Sequence, residues 1–347
     1  VYVNDNTTGT NTIAGFARAA DGSLTPLPGS PFSAGGGGSG KGLGSQGAIQ
    51  ITANGRYLLA VDAGSNQISV LRIEQNGSLE IVGSPVSSGG IKPVSIAIHK
   101  HRVYVANTGN GVTGANYTGF TLHHGVLTPL AGSTVALSPT AGPDDVLFNG
   151  DGTKLVGNEV TTSLIDSFTV GHNGRLTAAP GSPFTAQGLG PFGSEFRPTN
   201  PNQLFVTNAH NGTGLGTVSA FNDSANGTLS SIGSSPFADF QTAPCWLVIS
   251  HDGQYLFAVN TASGTISRYW IAPRGALTLL GSTNVAAGGG VGGTDPGLSA
   301  DGRYLYVDES GIDSVGEFAV KRGNVTELAS SPIALPVGAT PAGIVVS

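Results

Sequence analysis

A chain of 347 residues with 55 glycines, 20 prolines and only 10% charged residues is rich in turns and poor in the charged positions that cover exposed helices, which points to an all-β protein. Its formal charge of −6 comes without a basic cluster, which excludes the electrostatic footprint of a nucleic-acid binder. No stretch approaches the ~18 consecutive apolar residues of a membrane helix, so no membrane insertion is expected. The single cysteine, Cys245, excludes an internal disulfide and any cysteine-based zinc cluster.

The chain opens on VYVND from Val1, whose β-branched and aromatic content and polar end fit a strand that crosses the middle of a sheet and then turns. There is no initiating Met and no charged-then-apolar leader. With low charge and abundant Gly, Ser, Thr and Asn, the expected location is secreted or periplasmic, with the export signal removed or left out. A Gly-x-Leu hairpin signature comes next at Gly22, then GSPF from Gly29. Proline deletes a ladder hydrogen bond, so that second element belongs on an outer edge strand or in the turn leaving it. After a glycine-rich stretch from Gly35, SQGAIQI reads as an apolar inner strand.

These four signatures recur in the same order. The crossing strand returns as YLLAVD from Tyr57, VYVAN from Val103, KLVGNE from Lys154, LFVTN from Leu204, YLFAVN from Tyr255 and YLYVDE from Tyr304. The hairpin glycine returns at Gly77, Gly125, Gly174, Gly227, Gly275 and Gly323, every 48–55 residues. The edge element returns at Gly83, Gly132, Gly181, Gly233, Gly281 and Ser330. Inner strands return as KPVSIAI, GPDDVLF, GPFGSEF, APCWLVI, GTDPGLS and, last, TPAGIVVS from Thr340. Seven four-stranded units in one chain predict a single domain over 1–347, a seven-bladed β-propeller. The final inner strand is expected to pair with VYVND and close the ring; the chain is expected to be a monomer.

In such a ring the inner strands face a central channel, and aligning their starts gives two layers. One is Gly47, Val94, Asp144, Phe192, Cys245, Thr294 and Ala342; the next is Ala48, Ser95, Asp145, Gly193, Trp246, Asp295 and Gly343. Asp144 and Asp145 are candidate acid–base residues, joined by Glu159 at the end of a crossing strand. Asp144, Asp145 and Asp295 also form a candidate ligand set for a divalent cation such as calcium, although no cofactor is required. Gln46, Ser95, Asp295 and Lys41 are candidate ligand-binding groups, with Trp246 as a stacking platform. The competing reading makes the aspartates turn and cap acids around a packed aromatic. Asp62, Asn107, Asn208, Asn260 and Glu309 repeat at strand ends, and their repetition favours a structural role.

Other features carry less. GGGGSGKG from Gly35 lacks the Ser/Thr and the helix of a phosphate loop and is expected to be a flexible loop at the channel mouth, with Lys41 available to ligands. His123 and His124 alternate faces, His99 and His101 lack further ligands at metal spacing, and Cys245 has no aligned histidine base.

The segments GPDDVLFNGDGTKLVGNEV and APCWLVISHDGQYLFAVNTASGTISRY resemble the lactonase-like propellers, the family of 6-phosphogluconolactonase and muconate-lactonizing proteins. Gly142, Pro143, the Asp151-Gly152 turn, Asn158 and Glu159 match the family pattern, but Asp144 and Asp145 stand where it has Arg-His. The resemblance implies lactonase chemistry at the channel mouth. The reversed charge argues against an anionic substrate. Two readings follow: a hydrolase or lyase acting on a neutral lactone or carbohydrate-derived ligand, and a non-catalytic secreted propeller that binds a glycan or protein.

Overall fold

The computed structural model describes residues 1–285 and 292–347. Seven antiparallel sheets stand in a ring, each beginning on an inner strand and stepping outward through consecutive strands. Blade 4 is representative: inner strand Pro143–Phe148, crossing strand Lys154–Glu159, third strand Leu164–Val170 and outer strand Leu176–Ala178. No helix occurs among the described residues.

Each repeated signature has a local cause. The hairpin glycine adopts the left-handed backbone that the turn between third and outer strands demands, as at Gly77 (φ 83°) and Gly174 (φ 81°). The GSP element splits the outer strand in two, and its second half returns to the third strand: Leu79–Ile81 and Val86–Ser87 both pair with Gln67–Ile73. At the break the serine hydroxyl takes the place of the missing carbonyl. Ser30, Ser133, Ser182, Ser235 and Ser331 each accept the third-strand N–H, of Gly15, Gly119, Ser167, Ala220 and Glu317 respectively. In blade 6, where the motif is GSTN, the outer strand runs unbroken over Leu277–Asn284 with a bulge at Gly281.

The ring closes as the repeat order predicts. Ile344–Val345 pairs antiparallel with Tyr2–Asn4, matching Val3 to Ile344 and Tyr2 to Val345. The backbone bonds Asn4 N–H to Gly343 O and Thr340 N–H to Asp5 O extend the seam.

Apolar crossing strands, such as Leu58, Leu59, Ala60 and Val61, are fully buried between blades. Polar stitches at each seam add direction to that packing. The Tyr2, Tyr104 and Tyr306 hydroxyls donate to the hairpin carbonyls of the next blade, at Gly77, Gly174 and Gly22. Between blades 4 and 5, Lys154 Nζ is buried against Asp223 at 3.5 Å and also donates to Asn202. The strand-end residues serve the same purpose: Asn4 Nδ2 donates to Val61 O and Asn158 Nδ2 to Phe192 O.

Candidate functional site

Every inner strand but Ile49–Ile51 and Ile344–Val345 starts on a proline or glycine and bulges directly afterwards, which sets a common register in blades 3, 4 and 6. Ser95 faces Ala106, Asp145 faces Asn158 and Trp246 faces Val259 across their ladders. Of the aligned positions, Gly47, Thr294 and Ala342 of the first layer and Asp145, Trp246, Asp295 and Gly343 of the second line a channel cavity.

The channel is divided. Residues 45–47, at the end of the glycine-rich stretch, reach across it and bond to four blades. Ser45 Oγ donates to Val94 O (2.9 Å), Gln46 N–H to Asp144 O (3.2 Å) and Gly47 N–H to Asp295 Oδ2 (3.3 Å), while Ser45 O accepts the Trp246 indole N–H (2.7 Å). The Gln46 amide spans to blade 6, donating to Leu247 O (3.0 Å) and accepting Leu247 N–H (3.1 Å). This corrects the expectation of a flexible mouth loop. Phe32–Gly38 is a strand paired with Gly9–Arg18, and Asn6 staples Ser39 and Lys41. Its glycines are there because backbones approach closely: a Cβ at Gly38 would overlap Asn6 and Thr7, and one at Gly36 would overlap the Asp62 carboxyl.

On the side where the inner strands start lies a cavity of about 290 Å³, walled by Leu43, Ser45, Trp246, Thr261, Thr294 and Ala342 among others. On the other side a larger cavity of about 400 Å³ runs along the inner strands. Gln46, Gln50, Asp145, Ser194, Glu195 and Asp295 supply its polar wall, and half-buried Ile51, Ile98, Phe148 and Val346 lead to solvent at the far end. Among the described residues no Lys, Arg or His lines it.

Three carboxyls in this wall hold their protons unusually well. Asp145 is buried; its Oδ2 accepts the Ser194 N–H (2.9 Å) and hydroxyl (2.7 Å), and its Oδ1 the Ser95 hydroxyl (3.3 Å). Burial outweighs these bonds and raises its pKa to about 7. Glu195 Oε2 accepts the Ile249 N–H at 2.5 Å, and burial, assisted by the charge of Asp145, pushes it to about 8. Asp295 is driven well above the carboxylate range by burial and then by Asp308 and Asp145.

The remaining sequence candidates fall elsewhere. Ser95 supports Asp145 from behind, with its hydroxyl also accepting the Val146 N–H. Asp144 is buried in the wall of neither cavity; both its oxygens lack a hydrogen-bond partner among the described residues, and burial, then Asp145, raises its pKa strongly. Glu159 accepts from Thr162 and joins a buried group with Asp166 and Tyr117, whose hydroxyl donates to Asp166 (3.0 Å), so it lies at a blade seam rather than in the channel. Trp246 is only 6% exposed, packed edge-to-face on Phe192 with its N–H committed to Ser45; it is a wall, not an open platform. Lys41 is exposed and lines neither cavity. The proposed cation ligands Asp144, Asp145 and Asp295 do not converge: among the described residues no group of three or more His, Cys, Asp and Glu is placed to hold a metal ion. Burial pushes the Cys245 thiol up to about 12, far from a thiolate nucleophile.

Glu195 and Gln50 were missed, although the signal existed. Side chains two apart on a strand share a face. One step of two from the second layer gives Gln50, Ala97, Leu147, Glu195, Val248, Gly297 and Val345, all of which line the larger cavity.

Comparison with known proteins places this geometry. Residues 9–141 match the sequence profile of the family described as Lactonase, 7-bladed beta-propeller. No curated protein matches the chain. Among solved structures, a candidate 6-phosphogluconolactonase from Bacteroides uniformis superposes with a TM-score of 0.78 at 19% identity, covering 98% of this chain and 96% of that one. A periplasmic gluconolactonase of Pseudomonas aeruginosa gives 0.75 at 19% identity with the same coverage, and a streptogramin B lyase gives 0.61 at 16%, covering 88% of this chain and 87% of its own. No helix among the described residues is long and apolar enough to cross a membrane. The fold is a seven-bladed β-propeller, and over residues 9–141 its sequence is similar to the lactonase propeller family.

Proposed function

We propose that the protein hydrolyses a neutral lactone in the carboxyl-lined channel cavity. One observation carries the reading: Asp145 and Glu195, with pKa values of about 7 and 8, share the wall of one 400 Å³ cavity that no Lys, Arg or His among the described residues lines. That volume lies in the roughly 300–1,000 Å³ range of small-molecule sites. Near neutral pH one group serves as base while the other still holds its proton, the separation that acid–base catalysis needs. The Asp145 carboxylate takes a proton from water as the water oxygen bonds to the lactone carbonyl carbon. The ring C–O bond then breaks, and the departing ring oxygen receives the Glu195 proton. A hydroxy acid forms, and its carboxylate is repelled from an acidic cavity without a Lys or Arg, which favours release. A phosphorylated or carboxylated lactone would bury its charge there without a Lys or Arg partner among the described residues, which disfavours such substrates. An exported location belongs to this reading, supported by the low charge of the chain and by the periplasmic neighbour.

A panel of neutral five- and six-membered lactones tests it. Wild type is expected to turn over at least one, and Asp145→Asn and Glu195→Gln to lose about 10²-fold or more in kcat with the melting transition retained. Turnover of no neutral lactone, or full turnover by both variants, overturns the proposal.

A further inference from the structure

The division of the channel has a consequence for what the cavity admits. Consecutive residues of one segment line opposite cavities: Ser45 faces the smaller one, Gln46 the larger. This segment bonds to Val94 and Asp144 on blades 3 and 4, the Trp246 indole of blade 6 meets Ser45 O on the side of the smaller cavity, and on the side of the larger one the Gln46 side chain spans to the blade 6 backbone at Leu247. Blade 5 carries the imprint of that strut. A Cβ at Gly193 would overlap Gln46 Oε1, so the one second-layer position beneath the amide is a residue without a side chain. Asp295 lines both cavities and is the point at which they meet.

We infer that Gln46 is the partition of the channel and the size-selecting residue of the carboxyl-lined cavity: it makes that cavity blind, so the ligand is a single ring elongated on one side only, its free end toward solvent. This rests on the lactone-hydrolase reading for its choice of ligand, and on geometry alone for the partition. Removing the amide extends the 400 Å³ space toward the 290 Å³ one, with the Ser45–Trp246 bond left in place. Gln46 touches none of the reacting atoms and acts by closing space.

The test compares wild type with Gln46→Ala on neutral lactones substituted on one side of the ring and on both. Wild type is expected to prefer the one-sided series by about tenfold or more in kcat/KM, the order of discrimination set by steric fit in a pocket. Gln46→Ala is expected to lose that preference. A second readout needs no turnover: carboxyl ¹³C NMR titration of both proteins, with melting curves confirming the fold. Water reaching Asp145 from the smaller cavity is expected to bring its midpoint down from about 7 toward the ordinary carboxyl range in Gln46→Ala. If no lactone is hydrolysed but the titration moves, the reaction is wrong and the partition stands. A midpoint that does not move, or an unchanged preference between the two lactone series, overturns the inference.

Discussion

Asp145→Asn isolates the energetic cost of the channel. Asp145 is 3% exposed, and its carboxyl is raised from an ordinary 3.8 to about 7 because burial penalises its charge more than three hydrogen bonds reward it. A group that binds its proton more tightly folded than unfolded contributes fully to stability below 3.8, and that contribution disappears as pH rises to about 7. The difference between the two proton affinities corresponds to on the order of 4 kcal/mol. Asparagine stays neutral throughout, and its carbonyl can still accept the Ser194 N–H. Relative to wild type, the variant is therefore expected to gain stability between pH 4 and pH 8. With ~2.1 cal/mol/K per residue of unfolding entropy, a chain of this length converts that gain to roughly 5 °C in melting temperature. Urea unfolding at half-unit pH steps, wild type against variant, is the assay, because buried carboxyls away from Asp145 titrate alike in both proteins and cancel in the difference. Parallel curves from pH 4 to pH 8 would refute the claim that this carboxyl is held protonated by its surroundings.

Three further outcomes follow from the same structure. The pH–rate profile on a neutral lactone is expected to be bell-shaped, rising through about 7 as Asp145 ionises and falling above about 8 as Glu195 loses its proton; a rate flat from pH 5 to pH 9 contradicts these roles. Lys154→Met leaves Asp223 buried without its counter-charge and is expected to destabilise by about 3–5 kcal/mol, whereas Lys154→Met/Asp223→Leu recovers most of the loss. Equal stability of the single and double variants in urea would show that the pair is not coupled. Deleting residues 340–347 removes the inner strand of blade 1 and exposes the edge of Tyr2–Asn4, so loss of the cooperative transition or aggregation is expected, and an unchanged melting temperature would disprove the closure.

The fold was legible because each repeated signature has a single local cause. Gly22 and its six equivalents need a left-handed backbone, and the GSP serines cap a break in the outer strand. The site was half legible. Proline starts set a common register in blades 3, 4 and 6, and of the second layer Asp145 and Asp295 stand in the wall of the larger cavity. What escaped were contacts that leave the strand. Trp246 reads as a platform until Ser45, 201 residues earlier, is found against its indole N–H. Gly35–Gly38 reads as a loop because glycine is the common loop residue, yet here it lets a strand approach Asn6, Thr7 and Asp62. Glu195 was overlooked because the alignment stopped at two layers, where the strand period supplies a third.

At two seams between blades a buried cationic side chain accompanies the packing. Asp223, at the seam of blades 4 and 5, has Lys154 beside it, and its pKa rises only to about 6. The seam between blades 5 and 6 is held by Arg197, whose guanidinium donates to the Gly253 carbonyl, the Gln203 amide and the Ala272 carbonyl. Buried cationic groups thus reinforce seams, where removing one destabilises the ring. Among the described residues the channel cavity receives none: Asp145, Glu195 and Asp295 are met by hydroxyls and backbone amides, which orient a carboxyl without neutralising it. Such groups contribute nothing to closure that Asn or Gln could not supply, and near neutral pH their ionisation works against the fold. A ring already held by strand closure and by Tyr-to-turn and Asn-to-carbonyl stitches tolerates that cost. The outcome is a set of exchangeable protons inside a cavity large enough for a sugar-sized ring.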